Sequence, residues 1–293
     1  MVSPPSQALV ALVAAWRVAD HVLIGAGAGL SVAAGVDYGD AEDFRRTFPV
    51  MHAEGFRARY QMIGRWGLPP ERHWAYWSTH VHSVRFQARS SAVYTQLSAL
   101  LSDRDHFVLS SNVDGLFERH GLDPRRVVTT QGDYAAMQCR TPCRQVVWPS
   151  QPAVERLLGT IDATRFVVRD PEALPRCPHC GGEVFLNVRA DASFVEAPYE
   201  APRQQLADWL RISTGRMLVV ELGAGHNTPM VIRWPLERLT LARPNTTMFR
   251  INPIHWQLPS ELHGRATSVV GDAGEVVAGW HREAARGREP RSR

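Results

Sequence analysis

Four cysteines carry the most specific chemistry in this sequence. They fall in two close pairs, Cys139-x3-Cys143 and Cys177-x2-Cys180, with none left over. Two short-spaced pairs supply four thiolates that can converge on one tetrahedral zinc ion. Pro178, His179 and the two glycines after Cys180 suit the tight knuckle such a pair needs. Four thiolates close the coordination sphere, so the ion would be structural, at about one per chain. A redox pair is a weaker reading, because nothing resembling a thioredoxin unit surrounds either pair. Four unrelated buried thiols are the bland alternative.

A second candidate is the loop Gly25-Ala26-Gly27-Ala28-Gly29-Leu30-Ser31, which ends an apolar run. Glycines let backbone approach a phosphate, and a following helix N-terminus offers free N–H groups to it. The spacing is G-x-G-x-G rather than G-x-G-x-x-G, and no clear strand-end acid lies about 20 residues on. The loop reads equally well as a tight strand–helix turn. Asn112, Asp114 and Gln131 stand at the ends of two further apolar runs, where they either line a site or serve the turn and the surface. Arg189 is either a site residue or a solvated charge. No H-E-x-x-H or similar spacing joins His52, His73, His80, His82, His120 and His226, so core or surface placement is expected for each.

The elements that must position these residues can be read from periodicity. Residues 6–18, 92–101 and 203–212 read as helices. HVLIGAG (21–27), FVLSSNVD (107–114), RVVTTQG (126–132), MLVVELGAG (217–225), TMFRINP (247–253) and TSVVGD (267–272) read as strands running into Gly-, Asn- or Asp-rich loops. Strands alternating with helices describe an open parallel α/β sheet, in which ligands bind at the carboxyl ends of the strands. Residues 41–90 are rich in Arg, aromatics and His, with Trp74, Trp77 and Val81 at helical spacing. A helical module with an aromatic core is expected there, and a substrate groove is the minority reading.

The chain has 293 residues, 44% of them hydrophobic, enough for one large core with smaller insertions. Its formal net charge is +4, and every one of its 33 Lys/Arg positions is arginine. With abundant Ala, Gly, Pro and Val, this fits a GC-rich coding sequence better than a nucleic-acid surface. The run ALVALVAAW (8–16) is too short to span a bilayer and lacks a basic flank before it. A cytoplasmic protein with reduced thiols is expected.

Taken together in chain order, these pieces resemble the sirtuin family. GAGLSVAAG (27–35) resembles the sirtuin loop GAG-x-S-x-x-x-G, and SSNVDGL (110–116) resembles Q-N-I-D-x-L. VVELGAG (219–225), FRINP (249–253) and VVGDAGEVV (269–277) resemble the later nucleotide-binding segments. The resemblance covers nearly the whole chain, with three departures. Asp37-Tyr38-Gly39-Asp40 stands where sirtuins carry P-D-F-R, Ser111 stands where Gln precedes Asn, and Gln131 stands where the catalytic His precedes Gly. TTQGDYAAMQC, PRCPHCGGEVFLNVRADASFVE and ELGAGHNTPMVIRWPLERL are similar to the macrodomain-linked, class M branch, which shares that Gln.

That branch implies a protein ADP-ribosyltransferase using NAD, with a structural zinc on Cys139, Cys143, Cys177 and Cys180. It implies Asn112, Gln131 and Arg189 in the active site. Gly27, Ala28 and Ser31 would bind the phosphates, with Asn112 and Asp114 at the nicotinamide ribose and nicotinamide. Gly223, Asn252 and Asp272 would lie around the adenosine half. An NAD glycohydrolase, a weak NAD-dependent deacylase and a non-catalytic NAD or ADP-ribose sensor are the competing readings. The implied partners are an acceptor protein, a lipoylated carrier protein in some members, and a macrodomain hydrolase; no membrane is implied and nucleic acid is disfavoured. The expected fold is a Rossmann-like parallel sheet with NAD in a cleft beside a smaller lobe. Residues 1–40, 91–135 and 201–280 would form the NAD-binding domain, 41–90 a helical insertion, 136–200 a zinc-binding insertion and 281–293 a flexible tail.

Overall fold

A computed structural model describes residues 5–87 and 90–286. Helix α1 (Pro5–Val18) leads into strand β1 (His21–Ala26) and the short helix α2 (Ala28–Ala33). The arginine- and aromatic-rich stretch then forms α3 (Ala41–Thr47), α4 (Pro49–Ala53) and α5 (Pro70–Val81), with a π-helical turn over His82–Phe86. The chain continues through α6 (Ala92–Leu101), β2 (Asp105–Ser110), α7 (Leu116–Arg119) and β3 (Val127–Thr129). The cysteine-bearing stretch holds β4 (Gly132–Cys139), β5 (Trp148–Pro149), α8 (Gln151–Leu158), β6 (Ile161–Asp162), β7 (Val167–Val168) and β8 (Val184–Val188). Helix α9 (Glu200–Ile212), β9 (Met217–Leu222), α10 (Arg233–Ala242), β10 (Thr246–Ile251), β11 (Ala266–Val269) and α11 (Ala273–Arg286) follow.

Six strands form one parallel sheet in the order β11-β10-β9-β1-β2-β3. All six residues of β9 are buried, as a central strand covered on both faces requires. Alternate side chains serve opposite faces. Val22 and Ile24 of β1 join a core with Leu12 and Trp16 of α1, Leu97 of α6 and Trp280 of α11. Leu23 and Val219 join the second core, with Trp209 of α9 and Leu236 of α10. The chain steps outward from β1 to β2 and β3, then returns to the other side of β1 with β9. The carboxyl ends of β1 and β9 are therefore the topological switch point, where such sheets open a crevice for ligands.

The helical module has the expected aromatic core. Trp74, Trp77 and Val81 are buried, and Trp77 meets Phe185 of β8 edge-on at 5.2 Å between ring centroids. Strand β8 also pairs with β4 in a separate antiparallel sheet, β5-β4-β8.

Two expectations change. The run 126–132 is not one strand: β3 stops at Thr129, and Gly132 opens β4 in the other sheet. Gly132 has φ +94°, and a Cβ there would collide with the Asn187 carbonyl, so only glycine makes this crossing. The tail is shorter than expected, because α11 continues through Arg286 with Ala284 buried. Residues 287–293 of that tail lie outside the described residues.

Candidate active site and metal centre

The glycines at the switch point serve backbone packing. The N–H of Gly27 donates to the Leu222 carbonyl and that of Gly29 to the Gly223 carbonyl, each at 2.9 Å. A Cβ on Gly27 would lie 2.5 Å from the Ala224 Cα, and one on Gly29 would lie 2.8 Å from the Gly223 Cα. The loop after β1 thus sits directly on the loop after β9, with both N–H groups committed. Ala28 and Ser31, beside them in the sequence, instead face open space.

That space is a cavity of about 200 Å³ lined by Ala28, Ser31, Tyr38, Asn112, Val113 and Asp114, among others. The loop after β2 supplies its polar floor. Asn112 Nδ2 donates to the Gly27 carbonyl at 3.1 Å, which ties this loop to the glycine loop. Ser31 Oγ donates to Asp114 Oδ2 at 2.5 Å, and the Leu116 N–H donates to Asp114 Oδ1 at 3.0 Å. Asp114 is 3% exposed. Burial raises its carboxyl above the ordinary range, and the donors from Ser31 and Leu116 oppose that rise.

A second cavity, of about 170 Å³, shares Tyr38 and Val113 with the first. Gln131, Arg189, Tyr134, Trp77 and His73 contribute to its lining. Gln131 and Arg189 come together because Gly132 of β4 pairs with Val188 of β8, and the Arg189 N–H donates to the Gln131 carbonyl at 3.0 Å. The Gln131 side chain is half-buried. Arg189 holds Glu196 at 2.6 Å and lies 4.4 Å from the centre of the Phe194 ring, with a side chain one-third exposed. It is thus a paired charge on the cavity wall. His73 is held down to about 4 by burial, aided by Arg140, and is a weak base at neutral pH.

The remaining candidates stand at the carboxyl ends of β9, β10 and β11. Gly223 takes the left-handed conformation (φ +63°) against the Gly29 backbone. Asn252 Nδ2 donates to the Ala224 carbonyl at 3.0 Å, and Asn252 Oδ1 accepts from the N–H groups of Ile254 (3.0 Å) and His255 (2.8 Å). Asp272 caps α11 by accepting from the N–H groups of Gly274 (2.8 Å) and Glu275 (3.1 Å).

Sequence reasoning missed the charges that brace these loops. Arg250 of β10 and Glu221 of β9 are register partners, both fully buried, and they meet through two bonds of 2.8 Å. Arg233 of α10 donates to the carbonyls of Ala224 (3.1 Å), His255 (2.7 Å) and Gln257 (3.1 Å), which staples the two loops together. The available signal was an acid and a base, each alone inside an apolar strand.

The four cysteines converge. Cys139 Sγ lies 3.7 Å from Cys180 Sγ, and Cys143 Sγ lies 3.7 Å from Cys177 Sγ. All four sulfurs fall within 4.8 Å of one another. A tetrahedron with Zn–S bonds of about 2.3 Å has edges of about 3.8 Å, so the cluster fits a zinc ion. The β4–β8 ladder sets Cys139 opposite Val184, which brings the two pairs together. The Cys177–Cys180 knuckle closes by bonds from the Gly181 N–H to the Cys177 carbonyl (2.9 Å) and from the Cys177 N–H to the Gly182 carbonyl (2.8 Å). Zinc held by these four thiolates would supply a structural cross-link.

No family model matches the chain. It is 35% identical over 272 residues, 88% of its length, to a Fusarium oxysporum f. sp. cubense protein named probable bifunctional ADP-ribose hydrolase/ADP-ribosyltransferase, and spans 45% of that relative. It is 24% identical over 267 residues to a Staphylococcus aureus (strain Mu50 / ATCC 700699) protein named protein ADP-ribosyltransferase, covering 88% of this chain and 82% of that one. Among solved structures, a Sir2 homologue in complex with 2'-O-acetyl ADP ribose matches with a TM-score of 0.61 at 16% identity, over 98% of this chain and 99% of that one. Sir2Tm bound to a propionylated peptide matches at 0.60 and 15% identity, over 96% and 99%. The chain therefore has the sirtuin fold, and along 88% of its length its sequence is similar to proteins named as ADP-ribosyltransferases.

Proposed function

We propose that this chain is an NAD-dependent protein ADP-ribosyltransferase. The observation that carries the reading is the pair of cavities meeting at Tyr38 and Val113, with Asn112 and Asp114 in one and Gln131 in the other. NAD would enter along the switch-point loops, with its reacting ribose at the junction and the acceptor reaching it through the second cavity. The bond from the anomeric carbon to nicotinamide breaks with its electrons leaving on nicotinamide, a bond from the acceptor nucleophile to that carbon forms, and the acceptor's proton is released to solvent. Such a transfer needs its partners held in place, and no acyl group has to migrate.

Gln131 supports transfer over deacylation. An amide can hold a hydroxyl by hydrogen bonds, but it cannot take up a proton near neutral pH. Loss of a general base costs about 10²- to 10⁴-fold. His73, the histidine in that cavity, sits too low in pKa to replace it.

The acceptor belongs to the proposal, and a lipoylated carrier protein is the one to try first, on the resemblance to the class M branch. A functional link to an ADP-ribose hydrolase is proposed because the Fusarium relative carries both activities in its name. None of the described helices is long and apolar enough to cross a membrane. The reducing cytoplasm is the proposed location, since a four-thiolate metal site requires reduced cysteines.

The test is incubation with NAD labelled in its adenylate half, with cell lysate or a lipoylated carrier protein as acceptor. Label on protein, formed as nicotinamide is released, is the expected result. Loss of the acetyl group from an acetylated peptide at a rate matching or exceeding transfer would contradict the reading.

A further inference from the structure

A buried polar chain reaches the second cavity from the helical module. Arg59 is 3% exposed, and all five of its N–H groups have partners. Nε and Nη2 donate to Asp43 Oδ2 at 3.0 and 2.8 Å, and Nη2 also donates to Thr47 Oγ1 at 3.4 Å. Nη1 donates to Ser83 Oγ at 3.0 Å and to His80 Nδ1 at 3.1 Å. A guanidinium cannot accept, so His80 Nδ1 must be the acceptor and the ring proton sits on Nε2. That Nε2 lies 3.2 Å from the Tyr134 hydroxyl, to which it donates.

The consequence falls on Tyr134. Its oxygen receives the His80 proton, so its own hydrogen points elsewhere. Tyr38 stands beside it, packed edge-on against the same imidazole at 5.1 Å, and both phenols line the second cavity. If Tyr134 donates to Tyr38, the Tyr38 hydrogen is passed outward; if not, Tyr134 faces the cavity itself. Either way the pair ends in a donor. Reversing the chain would place a proton on Nδ1 against Arg59, so the polarity is fixed. Burial, followed by Arg59, holds His80 well below its ordinary range and keeps it neutral. Burial pushes the Tyr134 phenol up to about 12, so it keeps its hydrogen.

We propose that Asp43, Arg59 and His80 lock the Tyr134–Tyr38 phenol pair as a hydrogen-bond donor, and that Tyr134 is a positioning residue for a ligand oxygen where the two cavities meet. The inference rests on the NAD reading, in which that oxygen belongs to the ribose bonded to nicotinamide. Tyr38 lines both cavities and Tyr134 lines the second beside it, so the donor end lies at or next to the junction where that ribose would be held.

The test titrates ADP-ribose and ADP into the wild type, Tyr134→Phe, His80→Leu and His80→Gln. ADP lacks the ribose in question and serves as the internal control. Tyr134→Phe and His80→Leu should weaken ADP-ribose by about 3- to 10-fold and leave ADP within about twofold. His80→Gln should restore ADP-ribose to within about twofold, since its amide oxygen accepts from Arg59 and its N–H donates to Tyr134. Tyr134→Phe removes one oxygen atom, so it reports even if His80→Leu fails to fold. Unchanged ADP-ribose affinity in Tyr134→Phe, or equal weakening of both nucleotides, would overturn the proposal. Wild-type protein that binds neither nucleotide would overturn the NAD reading instead. The 15N shifts of His80 then decide the locked polarity without any ligand: an Nε2–H tautomer supports it, and an Nδ1–H tautomer or an imidazolium overturns it.

Discussion

Replacing Gly223 with alanine should part the two halves of the sheet at their carboxyl ends. Gly223 has φ +63°, and an L-residue held there costs about 1–2 kcal/mol. The added Cβ would also lie 2.6 Å from both the Cα and the carbonyl carbon of Gly29, and 2.7 Å from the Leu30 nitrogen. These are backbone atoms, so the glycine loop itself must move. Overpacking of this kind costs about 1–3 kcal/mol. The sum, about 2–5 kcal/mol, is a large share of the 5–15 kcal/mol that ordinarily separates folded from unfolded protein. Gly225→Ala is the control, because its Cβ would meet nothing closer than 4.0 Å. Urea unfolding measures the stability loss, and calorimetric titration with ADP-ribose measures the damage to the site. Gly223→Ala should lose both, and Gly225→Ala should lose far less. A Gly223→Ala protein matching the wild type in stability and affinity would refute the claim that contact between these two loops builds the crevice.

Two further outcomes follow from the site. Purified protein should carry about one zinc per chain by elemental analysis, and Cys143→Ser should lose it. Hydrogen exchange in β4 and β8 should then rise before exchange in the parallel sheet; unchanged protection in the metal-free protein would contradict a structural role. Asp114 carries a raised carboxyl, so the folded state favours its protonated form. Its contribution to stability is complete below the unfolded carboxyl value of about 4 and is lost as pH rises through the folded one. Asp114→Asn should therefore flatten the decline of stability above about pH 4, and should be the more stable of the two proteins at pH 7. The asparagine can still accept from the Leu116 N–H and donate to Ser31. An unchanged pH profile by thermal unfolding would contradict the burial argument.

Much of this architecture was legible because its signals are local. Apolar runs ending in glycine announced β1 and β9, and cysteine spacing alone announced the four-thiol cluster that the β4–β8 ladder assembles. The Gln131–Gly132 crossing was misread as the end of a strand, since nothing local says that Gly132 must pass under the Asn187 carbonyl. The glycine loop was legible as a loop but ambiguous in purpose, and the structure commits the N–H groups of Gly27 and Gly29 to the opposite loop. The Asp43–Arg59–His80–Tyr134 chain was invisible. Its first and last members, 43 and 134, lie 91 positions apart, and each alone reads as an ordinary surface or core residue. Arg250 and Glu221 could have been paired by their matching places in two apolar strands, but only the sheet order makes them neighbours.

The proposed ADP-ribosyl transfer from NAD is best tested by counting where the ADP-ribose goes. Wild type and Gln131→Ala would be incubated with adenylate-labelled NAD and an acceptor source, with nicotinamide and protein-bound label followed together. The wild type should place label on protein in step with nicotinamide release, and a folded Gln131→Ala should lose that label. Nicotinamide matched only by free ADP-ribose, or NAD that stays bound and intact, would contradict it.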